Sequence, residues 1–218
     1  MNWKFNSKFL YQVQLGINCI CCLSNNQKYE NLSINYSGIE DQELIEKAKG
    51  GDKAAFSMLV RKYEQTVAAV VIGMLGNTAD AEDVGQNVFI RFYKALSDYR
   101  GEAALGTYLT RIAINLSLNE LKRRQRMNLF FFRPAPGSPD IDLKDEQNRQ
   151  DEYDTKQAVH HALQQLEPKF RSVVVLRMLQ GYSTKETAEI LKLPLGTVLS
   201  RLSRAQDKLK ELLKYLIG

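Results

Sequence analysis

From Asp41 onward, apolar residues recur at intervals of three and four. Leu44, Ile45 and Ala48 make a short face that ends at Gly50-Gly51, an efficient helix stop. Phe56, Val60, Tyr63, Val67, Val70 and Met74 then mark one stripe of a long second helix, closed by Gly76. Asn77 or Thr78 can cap a third helix. It opens on Asp80-Ala81-Glu82-Asp83, the charge a helix N-terminus favours, and its inward positions are Val84, Val88, Phe92 and Leu96. Tyr99-Arg100-Gly101 interrupts the pattern. Leu105, Leu109, Ile112 and Leu116 restart it through a fourth helix that finishes in Lys122, Arg123, Arg124 and Arg126. No segment alternates apolar and polar positions over a convincing length, so residues 39–128 read as an all-α domain.

Residues 1–38 are Asn-rich and lack helical periodicity, which predicts a poorly ordered extension. An alternative is that translation starts near Leu32. Residues 129–156 read as a linker, proline-rich at first and acidic throughout the rest, with Phe130, Phe131 and Phe132 at its start either capping the first core or forming a sticky site. A second helical domain then spans 157–218. Val159, Leu163 and Leu166 predict one helix, stopped ahead of Pro168. Phe170, Val173, Val174 and Leu176 through Leu179 predict another, closed by Gly181. Ser183-Thr184-Lys185-Glu186 fits a capping box. Its helix runs to Leu191, Lys192-Leu193 turn the chain, and Pro194 sits where a helix can begin. Val198, Leu202, Ala205, Leu209, Leu212 and Leu216 face inward on that last helix. The fold class is therefore all-α: two helical domains on a flexible acidic linker.

Two helices joined by a short turn, with the small Ala188 at their crossing, describe a helix-turn-helix. In that motif the second helix enters the major groove of DNA with its N-terminal residues on base edges. Gly196 and Thr197 permit close approach there, and Ser200, Arg201 and Arg204 are placed to meet phosphates or bases. A helical hairpin used only for packing is the plainer alternative. Leu199 on the same outer face donates nothing and could touch a thymine methyl.

Charge sharpens the picture. The chain carries +5 overall, but the stretch 99–133 has seven basic residues against two acidic ones, and 157–218 has ten against five. An acidic block separates them, so the pattern suits two contacts with a polyanion, or equally two solvated helix faces. Tyr99, Arg100, Tyr108 and Asn115 beside the basic run suit unstacked single-stranded bases, although each tyrosine alone also suits packing.

Other chemistry is thin. Cys19, Cys21 and Cys22 lie together with nothing downstream to pair with, which fits a reducing cytosol. The stretch 9–23 is too short and polar to span a membrane and lacks a cleavage site. His160-His161 have no partners at metal spacing and no Gly-rich phosphate loop exists, so no catalytic residue, metal or cofactor is expected.

The run ELIEKAKGGDKAAFSMLVRKY, then GNTADAEDVGQNVFIRFYKAL, then YRGEAALGTYLTRIAINLSLNELKRR, resembles region 2 of the extracytoplasmic-function (ECF) sigma factors of the sigma-70 family. LQQLEPKFRSVVVLRMLQGYSTKETAEILKLPLGTVLSRLSRAQDKLKELL is similar to their region 4. The A-E-D-x-x-Q-x-x-F and L-P-x-G-T-V-x-S-R-L-x-R-A patterns in one chain are highly specific. The resemblance implies a promoter-specificity subunit of bacterial RNA polymerase, acting in the cytoplasm. It implies that Asp80, Glu82, Asp83, Gln86, Asn87, Phe89, Ile90 and Arg91 meet the clamp coiled coil of the β′ subunit. It implies that Tyr99, Arg100, Gly101, Thr107, Tyr108, Arg111, Asn115, Asn119 and Arg123 recognise and melt the minus-ten element. Region 4 would read the minus-thirty-five element with Thr197, Ser200, Arg201 and Arg204 and touch the β flap, and an anti-sigma factor would be a further partner. Leu199 departs from a commonly basic position and Lys192 from a frequent Gly. The competing reading is a stand-alone helix-turn-helix regulator, and the acidic third helix of the first domain argues against it.

Overall fold

The computed structural model describes residues 40–131 and 159–217, with side chains over 40–127 and 159–213. The N-terminal extension, its cysteines, the linker and the side chains of Phe130–Phe132 lie outside these bounds. Regular structure among the described residues is entirely helical. No helix there is long and apolar enough to cross a membrane.

Four helices build the first domain: α1 (Asp41–Lys49), α2 (Lys53–Leu75), α3 (Ala79–Lys94) and α4 (Leu105–Phe131). Local chemistry sets their ends. The Asp52 carboxylate accepts from the amides of Ala54 and Ala55 at 2.8 and 3.2 Å and starts α2. Gly76, at φ 78°, ends it, and the Thr78 hydroxyl accepts from the Ala81 amide to start α3. The helix α4 continues through Phe131, past the Arg126 at which the basic run stops. An aromatic cluster fills the centre: Phe92 stacks on Phe56 at 5.8 Å and meets Tyr99 and Tyr108 edge-on at 5.9 and 6.1 Å. Each such large side chain taken out of water stabilises the fold by about 1.5–3 kcal/mol.

The second domain comprises α5 (159–165), α6 (Pro168–Val174), α7 (Thr184–Leu191) and α8 (Leu195–Ile217). A π-turn over Val175–Leu179 extends α6, and the Gln180 amide closes it on the Val175 carbonyl at 2.9 Å. That wider turn shifts the phase of the apolar stripe. Leu176 stays buried, whereas Met178 and Leu179, in the run from which the sequence predicts this helix, stand exposed; so does Val159 at the start of α5.

The two domains pack on each other through one continuous core, which joins Phe92 and Leu109 to Leu163, Leu166, Val175 and Leu176. At the seam Gly73 lets α2 approach the π-turn, since a Cβ there would lie 3.0 Å from Val175 Cγ2. Polar pairs lock the same seam. Gln164 donates to the Gly73 carbonyl at 3.2 Å, and the Thr110 and Tyr182 hydroxyls meet at 2.9 Å. This second contact covers Thr110 on α4, which is fully buried, as is Ser117; Ile112 and Leu116, expected to point inward, are only partly so.

Candidate nucleic-acid interface

The helix-turn-helix is assembled by local signals. Ser183 and Glu186 form the reciprocal capping box: the Glu186 amide donates to the Ser183 hydroxyl at 3.2 Å, and the Ser183 amide to the Glu186 carboxylate at 2.7 Å. Those bonds hold the Glu186 carboxyl below the usual carboxylate range. The helix α7 ends in a Schellman arrangement with Lys192 in the left-handed region, φ 53° and ψ 50°, and the Leu193 amide donates to the Ala188 carbonyl at 2.9 Å. That turn aims α8. Ala188 packs with Val198 and Val173 where the helices cross.

On α8, Thr197 and Arg201 are half-buried; Ser200 and Arg204 are exposed. The Ser200 hydroxyl turns back to donate to the Thr197 carbonyl at 3.1 Å. Among the described residues, the ion pairs of this domain join Glu167 to Lys169 and Lys208, so Arg201 and Arg204 have no acidic partner there. A cationic edge with its charge unspent is what a phosphate backbone needs.

In the first domain, Thr107, Arg111, Asn115, Asn119 and Arg123 recur every four residues and share one ridge of α4, with Tyr108 beside it. Arg111 is half-buried and its Nε has no hydrogen-bond partner. Asn115, Asn119 and the preceding Arg100 are exposed. Tyr99 needs correction as a platform for bases: only 8% exposed, its hydroxyl donates to the Ala103 carbonyl at 2.7 Å and its ring packs on Tyr108 at 5.0 Å. Arg123 is already committed, forking onto Glu120 at 2.7 and 2.8 Å and reaching Asp80 at 3.7 Å. The Glu120 carboxyl is held below its usual range by Arg123 first and then Arg124.

On α3, Glu82, Asp83, Asn87 and Arg91 are exposed on one face, with Gln86 and Ile90 half-buried between them. Phe89 needs correction as a partner contact, because it is 1% exposed and belongs to the core. Asp80, itself partly exposed, pairs with Arg124 at 2.8 Å.

The sequence reading missed Arg124 and Arg171 as structural residues. Arg124 ties α4 to the α2–α3 corner through Asp80, the Thr78 hydroxyl and the Leu75 carbonyl. Arg171 is buried and donates to the Met74 carbonyl at 2.5 Å, Gln164 Oε1 at 2.7 Å and the Leu166 carbonyl at 2.9 Å. No periodicity announces a buried arginine.

Comparison with known proteins fits these two surfaces. Residues 59–127 match the family model for sigma-70 region 2, and residues 156–209 that for sigma-70 region 4. The RNA polymerase sigma-H factor of Pseudomonas aeruginosa is 34% identical over 187 residues, spanning 82% of this chain and 96% of the relative. The ECF RNA polymerase sigma-E factor of Escherichia coli K12 is 33% identical over 194 residues, spanning 82% and 97%. The chain belongs to the ECF sigma factors of the sigma-70 family. CnrH, solved with the cytosolic domain of CnrY, superposes on this sigma factor with a TM-score of 0.57 at 25% identity, over 80% of this chain and 97% of CnrH. The sigma factor RpoE of Bartonella quintana, in complex with the anti-sigma factor NepR, shares the fold with a TM-score of 0.58 at 23% identity, over 73% and 96%. As a family member the sigma factor directs promoter-dependent transcription initiation with RNA polymerase, and the family is not a catalytic class. A stand-alone regulator is not favoured, because the relatives align through both domains.

Proposed function

We propose that this sigma factor binds core polymerase through the exposed face of α3, with Glu82, Asp83, Gln86, Asn87, Ile90 and Arg91 against the β′ clamp coiled coil and Asp80 at its edge. The α4 ridge, with Arg100 and Tyr108, recognises the minus-ten element. The front of α8, carrying Thr197, Ser200, Arg201 and Arg204, reads the minus-thirty-five element, and the domain also touches the β flap. An anti-sigma factor that controls access to these surfaces completes the set of partners, and the chain acts in the cytoplasm where the polymerase is. One observation carries the reading: a helix-turn-helix with an unpaired cationic edge shares a core with a helix whose acidic face stays open to a partner.

The test is reconstitution. The full chain mixed with bacterial core polymerase should initiate from the promoter of its own operon. Arg201→Ala should cost about 1–3 kcal/mol of minus-thirty-five recognition and leave core binding intact. Absence of promoter-dependent initiation, with tight duplex binding by the chain alone, would instead identify a free-standing regulator.

A further inference from the structure

Most large apolar side chains of this protein are buried, yet two exposed ones stand one turn apart at the front of α8. Leu195 and Leu199 are each 49% exposed, as much as a surface lysine. Their positions on the helix give the face an order. At 3.6 residues per turn the two leucines lie about 40° apart, and Arg201 and Arg204 lie roughly 140–160° from Leu199 on the opposite edge. Between the edges run Gly196, Ser200 and Ser203, all exposed and all small. A Cβ built on Gly196 would meet nothing within 4 Å, and the Ser200 hydroxyl is folded back onto its own helix. The face is thus a low floor with a cationic edge and an apolar edge.

An apolar edge has one alkyl ligand in the major groove, the C5-methyl of thymine; cytosine carries only a hydrogen at that position. Four residues advance the helix about 6 Å, close to two base-pair steps. We infer that Leu195 and Leu199 form a methyl-reading pair that selects A·T pairs within the minus-thirty-five element, while Arg201 and Arg204 on the other edge hold the backbone. This rests on the proposed role of α8 and specifies what it reads. Leu199, where a basic residue is common, exchanges a phosphate contact for a base preference.

The experiment separates this inference from the sigma reading on which it rests. Holoenzyme made with the full chain is used to select active promoters from a library randomised across the minus-thirty-five element. Selected promoters should carry thymine within a two-step window. Replacing that thymine by deoxyuridine removes only the methyl group, and initiation should fall about fourfold, the equivalent of one buried methyl. Leu199→Ala should fall comparably on the thymine template and become indifferent to the exchange, with an unchanged salt dependence; Leu195→Ala should behave the same way at the position two base-pair steps away. Equal sensitivity to deoxyuridine in wild type and both variants, or no thymine enrichment, overturns the inference while leaving the sigma function standing. Loss of core-polymerase binding in either variant also overturns it, by making the leucines a protein contact. Failure to initiate from any library member removes the sigma reading and the inference with it.

Discussion

Arg171 is a charge without a counter-charge. Its guanidinium is spent on carbonyl oxygens at the C-terminal ends of α2 and α5, where the helix dipoles supply partial negative charge. Burial, with the Arg124 charge, pushes its pKa down to about 10, so it remains protonated at neutral pH. Removing it strands several buried acceptors together. Arg171→Ala should therefore destabilise the protein by about 2–4 kcal/mol in denaturant unfolding, and Arg171→Lys should recover only part, because an ammonium cannot fork across acceptors on two helices. The sequence hides this residue: arginine beside Phe170 and Ser172 reads as a solvated position on a helix stripe. Its role depends in part on the Met74 carbonyl, 97 residues away.

At the scale of elements, what was legible is what local chemistry decides. The Ser183–Glu186 box, Pro194 ahead of α8 and the Gly76 stop each act within one turn of themselves, and the structure has them where the sequence suggests. Thr110 and Gly73 were not legible, since what covers them comes from a second domain far along the chain. Met178 and Leu179 misled for a different reason: a 3.6-residue period cannot foresee a five-residue turn. The same division applies to the site. The α8 positions follow from the motif, whereas the inward placement of Phe89 and Tyr99 follows from aromatic packing. Lys192 offers an element-level test. Lysine in the left-handed region carries a backbone cost that glycine avoids, so Lys192→Gly should raise stability by up to about 1 kcal/mol in thermal unfolding, without changing the geometry of the turn.

For the whole molecule, distance decides. Elements centred near minus ten and minus thirty-five are about 85 Å apart along duplex DNA. In the structure the domains meet at hydroxyl-to-hydroxyl contact between Thr110 and Tyr182. The proposed α4 and α8 surfaces lie on domains that share one core here. If those surfaces read the two elements as proposed, simultaneous engagement requires the seam to part. Gly73→Leu, which drives a side chain into Val175, should enlarge the radius of gyration in small-angle scattering and speed assembly of the promoter complex by preformed holoenzyme. An unchanged radius with unchanged assembly kinetics would show that the seam bears no such strain.

Gly73 thus does more than permit close packing. On the proposed engagement of both elements, whatever free energy the packed form holds is subtracted from the affinity for promoter DNA, because only the fraction of molecules that has come apart can reach both. The side chain that Gly73 lacks is then one determinant of how readily the protein takes hold of a promoter.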